Sequence, residues 1–381
     1  MAKRRTAADS LRYRRIVAKF GTNLLTAGTD RLDLEVMSAL VGQVARLHQA
    51  GAEVILVTSG AIAAGRHQID CPPHRRNGLS RQVLAAVGQS HLMQCYDELF
   101  SWHGITIAQA LLSRRDLSDR VGYLNARNTL LALLELRAVP IVNENDVVAV
   151  EEIEGARIGD NDNLSALVAN LVDADLLVML TDTGGLYTAD PRLDGEARLI
   201  PRVDRIDEEI ERLAGGVSPD SRGTGGMATK IEAAKLATAG GATVVIVGGD
   251  ERDVLPRLAR GEELGTLFPS QVDRMESRKR WMLSRLAVRG CITVDAGAAR
   301  ALQQQNKSLL PAGVKAVDGA FERGEAVDIC TVDGKRIACG IVNYSREEVE
   351  AIHGLRSDRI AEVLGHDYGS EVVHRSNLVL L

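Results

Sequence analysis

The stretch SRGTGGMATKIEAAKLA (221–237) places Gly223, Gly225 and Gly226 just ahead of Lys230 and an apolar-periodic run. Glycines let the backbone approach a ligand closely, because no Cβ stands in the way. The first N–H groups of a helix lack intrahelical partners, and its N-terminus carries roughly half a positive charge. A glycine turn, a helix start and a lysine together describe a cradle for an anion, phosphate above all. The stretch does not align with GxxxxGK[ST], and an ordinary loop–helix junction has the same appearance.

Five more polar clusters follow apolar stretches. AKFGTN sets Lys19 beside Gly21, Thr22 and Asn23; the lysine can reach a phosphoryl oxygen or simply face solvent. VTSGAIAAG carries Ser59 and Gly60, whose small side chains leave amides open to an anion, or whose serine caps a helix. VNENDVV holds Asn143, Glu144, Asn145 and Asp146 in a row, a density that is costly unless solvated or used. A carboxylate there can bind an ammonium group. IGDNDNLSAL holds Asp160, Asn161, Asp162 and Asn163, more than one helix cap needs. Asn161 can donate its amide to a carboxylate, and an aspartate among phosphate-binding lysines holds them in place. LTDTGGLYTADPR offers Thr181, Asp182, two glycines to hug a flat ligand, and Tyr187; a plain hairpin turn is the alternative.

None of these clusters contains a histidine, no His/Cys/carboxylate set has zinc spacing, and GxSxG is absent. Lysines, small-residue loops and carboxamides remain, which is equipment for phosphoryl transfer by positioning and charge neutralisation.

Alternating elements must position these residues. RIVAKF (15–20), EVILVTS (53–59), GITIAQALL, VPIVNE, DLLVMLT and ATVVIVGG read as strands. Helical spacing fills 33–50 up to Gly51, then 82–100, 124–137, 163–172, 204–214 and 227–239. Doubly buried strands alternating with helices predict an open, mostly parallel sheet sandwiched by helices, with ligands at the carboxyl ends of the strands. After LGTLFPS the pattern changes to short strands separated by Asp-Gly and Arg-Gly turns, a second, small and mostly β domain. The expected division is a basic tail at 1–13, a catalytic domain at 14–270, a linker at 271–285 and the β domain at 286–381.

The 381 residues carry a net charge of −5 and five scattered cysteines. The count is odd and no CxxC occurs, which predicts a reducing, cytoplasmic setting rather than a disulfide framework. No apolar run approaches the roughly 18 residues of a membrane helix. From Trp281 onward twelve Lys/Arg face thirteen Asp/Glu, so nucleic acid is not expected as a partner.

VTSGAIAAG, NENDVVAV, GDNDNLSALVA, LTDTGGLYTADPR and GTGGMATK, in this order, resemble the amino-acid kinase family, and SLLPAGVKAVDGAFERGEAVDI resembles the PUA domain often fused to its members. NEND with GDNDNLSA is specific to the glutamate-phosphorylating branch. The resemblance implies transfer of the ATP γ-phosphoryl group to the side-chain carboxylate of L-glutamate, the first step to proline, with Mg²⁺ accompanying ATP and no metal cage built by the protein. It implies Lys19 and Lys230 as the lysines that neutralise the transferring group, with Asp162 orienting them. Ser59, Asp146 and Asn161 match glutamate ligands. Lys19, Thr181, Asp182 and the run Thr224, Gly225, Gly226, Met227, Ala228, Thr229 and Lys230 match the nucleotide site. Feedback inhibition by proline and homo-oligomer formation are further expectations. Two features depart from the family pattern: Asn23 stands where Ser or Thr is usual, and the loop EEIEGARI is slightly long. The alternatives are an aspartate or acetylglutamate acceptor, or a PUA-containing RNA-binding protein.

Overall fold

The computed structural model describes residues 11–66, 68–69, 81–148, 161–215, 226–270, 288–305 and 307–381. Residues 1–10 of the expected tail at 1–13, the linker at 271–285, the loop EEIEGARI with Asp160, and Gly223, Thr224 and Gly225 lie outside these residues. The chain divides into two compact units, residues 1–117 with 126–272, and residues 118–125 with 273–381.

In the first unit one sheet contains β1 (Arg15–Phe20), β2 (Glu53–Thr58), β3 (Ile107–Leu112), β4 (Val139–Glu144), β5 (Leu176–Thr181), β6 (Thr243–Gly248) and β7 (Thr266–Phe268), in the order β3-β4-β2-β1-β5-β6-β7. All neighbours are parallel except β6 and β7. β1, β2 and β5 are buried at nearly every position, as their unbroken apolar runs require of strands covered on both faces. The helices up to residue 270 are α1 (Thr22–Leu25), α2 (Leu34–Gln49), α3 (Ala61–Arg66), α4 (Arg81–Ser101), α5 (Arg114–Ser118), α6 (Arg120–Glu135), α7 (Asn161–Leu171), α8 (Glu208–Gly215), α9 (Met227–Ala239) and α10 (Val254–Ala259). α2 starts on Asp33, whose carboxylate accepts the N–H groups of Glu35 and Val36. Such a cap is worth about 0.5–2 kcal/mol.

Ile16, Ala18 and Phe20 of β1 share a buried cluster with Met37, Leu40 and Val44 of α2 and with Leu92 and Tyr96 of α4. Side chains alternate along a strand, so Lys19 points to the other face. There α7 packs against β1, β2, β4 and β5.

β7 is absent from the sequence reading, and it changes the meaning of the TGG turn. A Cβ on Gly185 (φ +148°) would lie 2.7 Å from Thr266 Oγ1, and one on Gly184 would lie 2.7 Å from the Tyr187 hydroxyl. Both glycines are thus needed for packing inside the protein, whatever else they approach.

The second unit is built on β8 (Val288–Val294), β9 (Val314–Gly319), β10 (Ala326–Thr331), β11 (Arg336–Ile341) and β12 (Leu378–Leu380), in the order β12-β11-β10-β8-β9. Only β8 and β10 run parallel. The terminal stretch EVVHRSNLVLL, which falls in the region expected as short strands, forms a strand only at Leu378–Leu380. Among the described residues three α-helices join the sheet: α11 (Ala296–Gln305), α12 (Arg346–Ile352) and α13 (Ile360–Leu364). α12 opens with a reciprocal capping box between Ser345 and Glu348. The unit is discontinuous in sequence. Leu124, from residues 118–125, is buried in one cluster with Ala326, Cys339, Ile341 and Val379. Among the described residues no helix is long and apolar enough to cross a membrane.

Candidate active site

β1, β2, β4 and β5 end side by side at Phe20, Thr58, Glu144 and Thr181. β2 and β4 lie on one side of β1, β5 and β6 on the other. The crevice beyond such a reversal is where open α/β sheets bind ligands.

Three charged side chains meet there. Lys19 comes from β1, Asp162 from the first turn of α7 and Lys230 from the first turns of α9. Asp162 Oδ1 lies 2.5 Å from Lys19 Nζ, and Oδ2 lies 3.1 Å from Lys230 Nζ. The Thr229 hydroxyl donates to the same Oδ2 at 3.0 Å. The relative exposures are 5% for Lys19, 0% for Asp162 and 6% for Lys230, so all three charges sit out of bulk water. Burial pushes the Asp162 carboxyl up, but the two ammonium groups outweigh it and hold the group well below the usual carboxylate range. The aspartate is thus an anion that fixes two cations side by side.

Small residues border this clamp. A Cβ on Gly21 would lie 3.6 Å from Lys19 Nζ. Gly226 is the N-cap of α9, makes no side-chain cap bond and has open space around its Cα. Among the described residues no side chain caps the first N–H groups of α9, at Met227, Ala228 and Thr229. At the end of β5 the buried Thr181 donates its hydroxyl to Asp182 Oδ1 at 3.1 Å. Asp182 Oδ2 accepts from Asn23 Nδ2 at 3.3 Å and from Arg192 Nη2 at 3.2 Å. Burial pushes Asp182 up, and the bonds from Asn23 and Thr181 bring it below its ordinary value. Asn23, the departure from the expected Ser or Thr, is used to hold this carboxylate.

A chain of amides forms the other side. Asn161 Nδ2 donates to Ser59 Oγ at 2.9 Å and to Asn143 Oδ1 at 3.1 Å. Asn143 Oδ1 also accepts the Glu144 backbone N–H at 2.9 Å, while Asn143 Nδ2 donates to Gln89 Oε1 at 2.9 Å. Asn161 Oδ1 and Gln89 Nε2 are buried without a hydrogen-bond partner among the described residues. Each such group costs about 1–3 kcal/mol until something meets it. The nitrogen that Asn161 was expected to offer to a carboxylate is taken up within the protein, and its oxygen is what remains. Asp146 is half-buried and forms no hydrogen bond or ion pair among the described residues. Burial pushes its carboxyl above the ordinary range, with Arg81 acting weakly against it.

Two contacts fix where this chain sits. A Cβ on Gly88 of α4 would lie 1.8 Å from the Ala61 carbonyl oxygen, and one on Gly65 of α3 would lie 1.9 Å from the Leu84 carbonyl oxygen. Only glycine allows the two helices to cross this closely. The Tyr96 hydroxyl of α4 bonds Thr58 Oγ1 at the end of β2, at 2.8 Å. Ser59 precedes α3 and Gln89 follows Gly88, so the crossing sets both ends of the amide chain. Gln89 was not singled out in the sequence, and Asn143 was noted only within its polar run. The available signal was a glycine inside a helical pattern just before Gln89, which marks close packing.

Residues 14–248 match the Amino acid kinase family. The chain belongs to this family. Within the amino acid kinase family it is similar over nearly its whole length to curated proteins named glutamate 5-kinase. The one from Dehalococcoides mccartyi (strain CBDB1) is 54% identical, covering 97% of this chain and 99% of its own. Those from Herpetosiphon aurantiacus and Deinococcus radiodurans are 53% and 48% identical, covering 96% of this chain and 98% and 100% of their own. Residues 290–364 match the PUA domain. A UMP kinase structure from Bacillus anthracis superposes with a TM-score of 0.48 at 16% identity, over 68% of this chain and 97% of that one.

Proposed function

We propose that this chain is an ATP-dependent kinase that phosphorylates the side-chain carboxylate of L-glutamate, giving L-glutamyl 5-phosphate and ADP, the first step towards proline. The observation that carries the mechanism is the buried clamp in which Asp162 holds Lys19 and Lys230 within 2.5 and 3.1 Å. Glutamate's own carboxylate is the nucleophile. With a pKa of about 4.3 it is ionised at neutral pH, so the chain needs no general base. That agrees with sequence clusters devoid of histidine. The work left to the protein is positioning and charge neutralisation.

Lys19 and Lys230 would face the oxygens of the transferring phosphoryl group, fixed by Asp162 so that they need not reorganise as charge develops. The uncapped start of α9, from Gly226 to Thr229, would receive nucleotide phosphates, with Thr224 and Gly225 extending that turn. Thr181 and Asp182 would contact the nucleotide from the end of β5. Ser59, Asn161 and Asp146 would hold the acceptor, with the unpartnered Asp146 carboxylate taking its ammonium group. Proline, which carries an ammonium and a carboxylate, would inhibit by occupying that end. Magnesium, when bound with ATP, would neutralise phosphate oxygens and keep much of its water. Among the described residues no three His, Cys, Asp or Glu side chains converge to hold a metal. The charge supplied by the chain itself is thus the two ammonium groups.

ADP release, measured side by side with glutamate, aspartate and acetylglutamate, tests the proposal. Glutamate should be the acceptor by a wide margin. Turnover with either of the others and none with glutamate would assign the chain to a different acceptor within the same family.

A further inference from the structure

The amide chain has a direction, and it is set at Asn143 from both ends, by a backbone N–H on the oxygen and by Gln89 on the nitrogen. Asn and Gln side chains can be turned end for end, exchanging donor and acceptor, so an isolated amide has no fixed polarity. Asn143 is not isolated. The Glu144 backbone N–H can only donate, and it points at Asn143 Oδ1 from 2.9 Å. That fixes Asn143 Nδ2 on the opposite side, where it needs an acceptor and finds Gln89 Oε1 at 2.9 Å. It also requires the next group on Asn143 Oδ1 to be a donor, and Asn161 Nδ2 fills that place at 3.1 Å. Asn161 is left presenting Oδ1, buried and unpartnered, as an acceptor.

We propose that Gln89 is a positioning residue for acceptor recognition: by taking Asn143 Nδ2 it locks the polarity of the chain, so that Asn161 shows an oxygen to the substrate's ammonium group. The inference rests on the proposed phosphorylation of glutamate and deepens it. It assigns the α-ammonium a neutral acceptor, Asn161 Oδ1, in addition to the Asp146 carboxylate. Gln89 acts through Asn143 and Asn161 and contributes to substrate choice, not to the transfer step.

The alternative polarity shows what Gln89 prevents. Without an acceptor at position 89, Asn143 Nδ2 loses its only protein partner among the described residues. Turning the Asn143 amide over would then bring its nitrogen against both the Glu144 N–H and Asn161 Nδ2. Asn161 would have to turn as well, and would show a donor where the ammonium arrives. Two donors facing each other repel, and that alternative disfavours the correct substrate. The close crossing at Gly65 and Gly88 holds Gln89 in range, so the lock does not depend on a mobile side chain reaching across a gap.

Glutarate tests this directly. It keeps both carboxylates of glutamate and lacks only the amino group. In the full-length protein, Gln89→Met keeps the length of the side chain and removes its acceptor. The KM for glutamate should rise roughly 10-fold or more, the loss expected for a charge-assisted hydrogen bond. The competitive inhibition constant of glutarate, the KM for ATP and kcat should stay within about 3-fold, inside the ordinary scatter of such contributions. Gln89→Glu keeps an oxygen for Asn143 Nδ2, so its preference for glutamate over glutarate should equal or exceed that of the unaltered protein. Equal weakening of glutamate and glutarate in Gln89→Met, or no change in either, would overturn the role of Gln89; so would a Gln89→Glu variant that loses the preference. If Gln89→Met fails to fold, Gln89→Glu decides alone by the same ratio. An unaltered protein that transfers no phosphoryl group to glutamate would instead sink the functional reading, whatever the variants do.

Discussion

The first unit buries two sets of opposite charges, and they are built differently. Arg127, on α6, is 3% exposed; its guanidinium donates to the Leu171 carbonyl oxygen and pairs with Asp173 Oδ2 at 2.6 Å. It ties the end of α7 to a neighbouring helix. In the clamp at the other end of α7, two ammonium groups share the carboxylate of Asp162. A guanidinium that joins the end of one helix to another is a fastening. Two ammonium groups drawn to one carboxylate at the carboxyl ends of the strands sit where open α/β sheets bind ligands. Short distances are common to both, so they do not distinguish a functional charge from a structural one. The place in the fold does.

This contrast can be broken by experiment. Arg127→Met should destabilise the folded protein by about 1–3 kcal/mol, since it removes the guanidinium's bonds to the Leu171 carbonyl and to Asp173. Turnover at a temperature where the variant is folded should stay near normal. Urea unfolding with parallel kinetics checks both halves, and a stable variant with lost activity would reverse the assignment. Lys19→Ala and Lys230→Ala should do the opposite. Each should lower kcat by roughly 10²-fold or more, as for a lost electrostatic stabiliser, while the remaining lysine still pairs with Asp162. Near-normal kcat in either folded variant would remove that lysine from the mechanism.

Asp146→Asn should raise the KM for glutamate by roughly 10- to 150-fold, the cost of one charge-assisted bond, and leave the KM for ATP nearly unchanged. A rise confined to ATP would move Asp146 out of the acceptor site. The pH dependence sharpens the same point. Burial raises the Asp146 carboxyl, and only its anion binds ammonium. The KM for glutamate should therefore climb as pH falls towards that raised value, beginning above the ordinary carboxylate range, and the climb should vanish in Asp146→Asn.

Asp162 behaves with the opposite sign. Its folded pKa is depressed, so its contribution to stability is full above its unfolded value of about 4 and fades as pH falls through the lower folded value. The stability difference between the unaltered protein and Asp162→Asn should shrink below about pH 4, where the unfolded carboxyl begins to protonate. A difference that stays constant down to pH 2 would mean that the carboxylate is not what holds the lysines.

Much of the first unit was legible because its strands are continuous apolar runs. RIVAKF, VPIVNE and DLLVMLT announce themselves, and the polar residues that end such runs must sit at strand termini. Lys19 and Asp162 stood out in such polar clusters and Lys230 behind its glycine turn, although nothing in their spacing says that one carboxylate receives both lysines. β7 was missed because three residues give no period to read. In the second unit, α11 and α12 were hidden by the short strands around them, although Ser345 and Glu348 spelled out a helix start. The amide chain was out of reach for another reason. Gln89, Asn143, Asn161 and Ser59 belong to separate elements, and their partnership exists only once the sheet order has brought those elements together. The packing role of the TGG glycines was out of reach because one residue that needs their missing side chains, Thr266, lies on the strand that was not foreseen.

The crossing at Gly65 and Gly88 has a consequence for anyone who selects rather than designs variants. Neither glycine is near the charge clamp in sequence, and neither has a side chain with which to touch a substrate. A methyl group at either would still have to push a helix backbone aside, and with it either the serine turn or the glutamine that orients the asparagines. A genetic screen for loss of function would therefore recover Gly65 and Gly88 together with the lysines, and sequence alone would invite the conclusion that they bind something. Their lesions should be recognisable by another mark: the atoms in the way are backbone, so no smaller side chain on the facing helix could restore the crossing, and such variants would lose thermal stability together with activity, whereas a missing ammonium group would cost activity first.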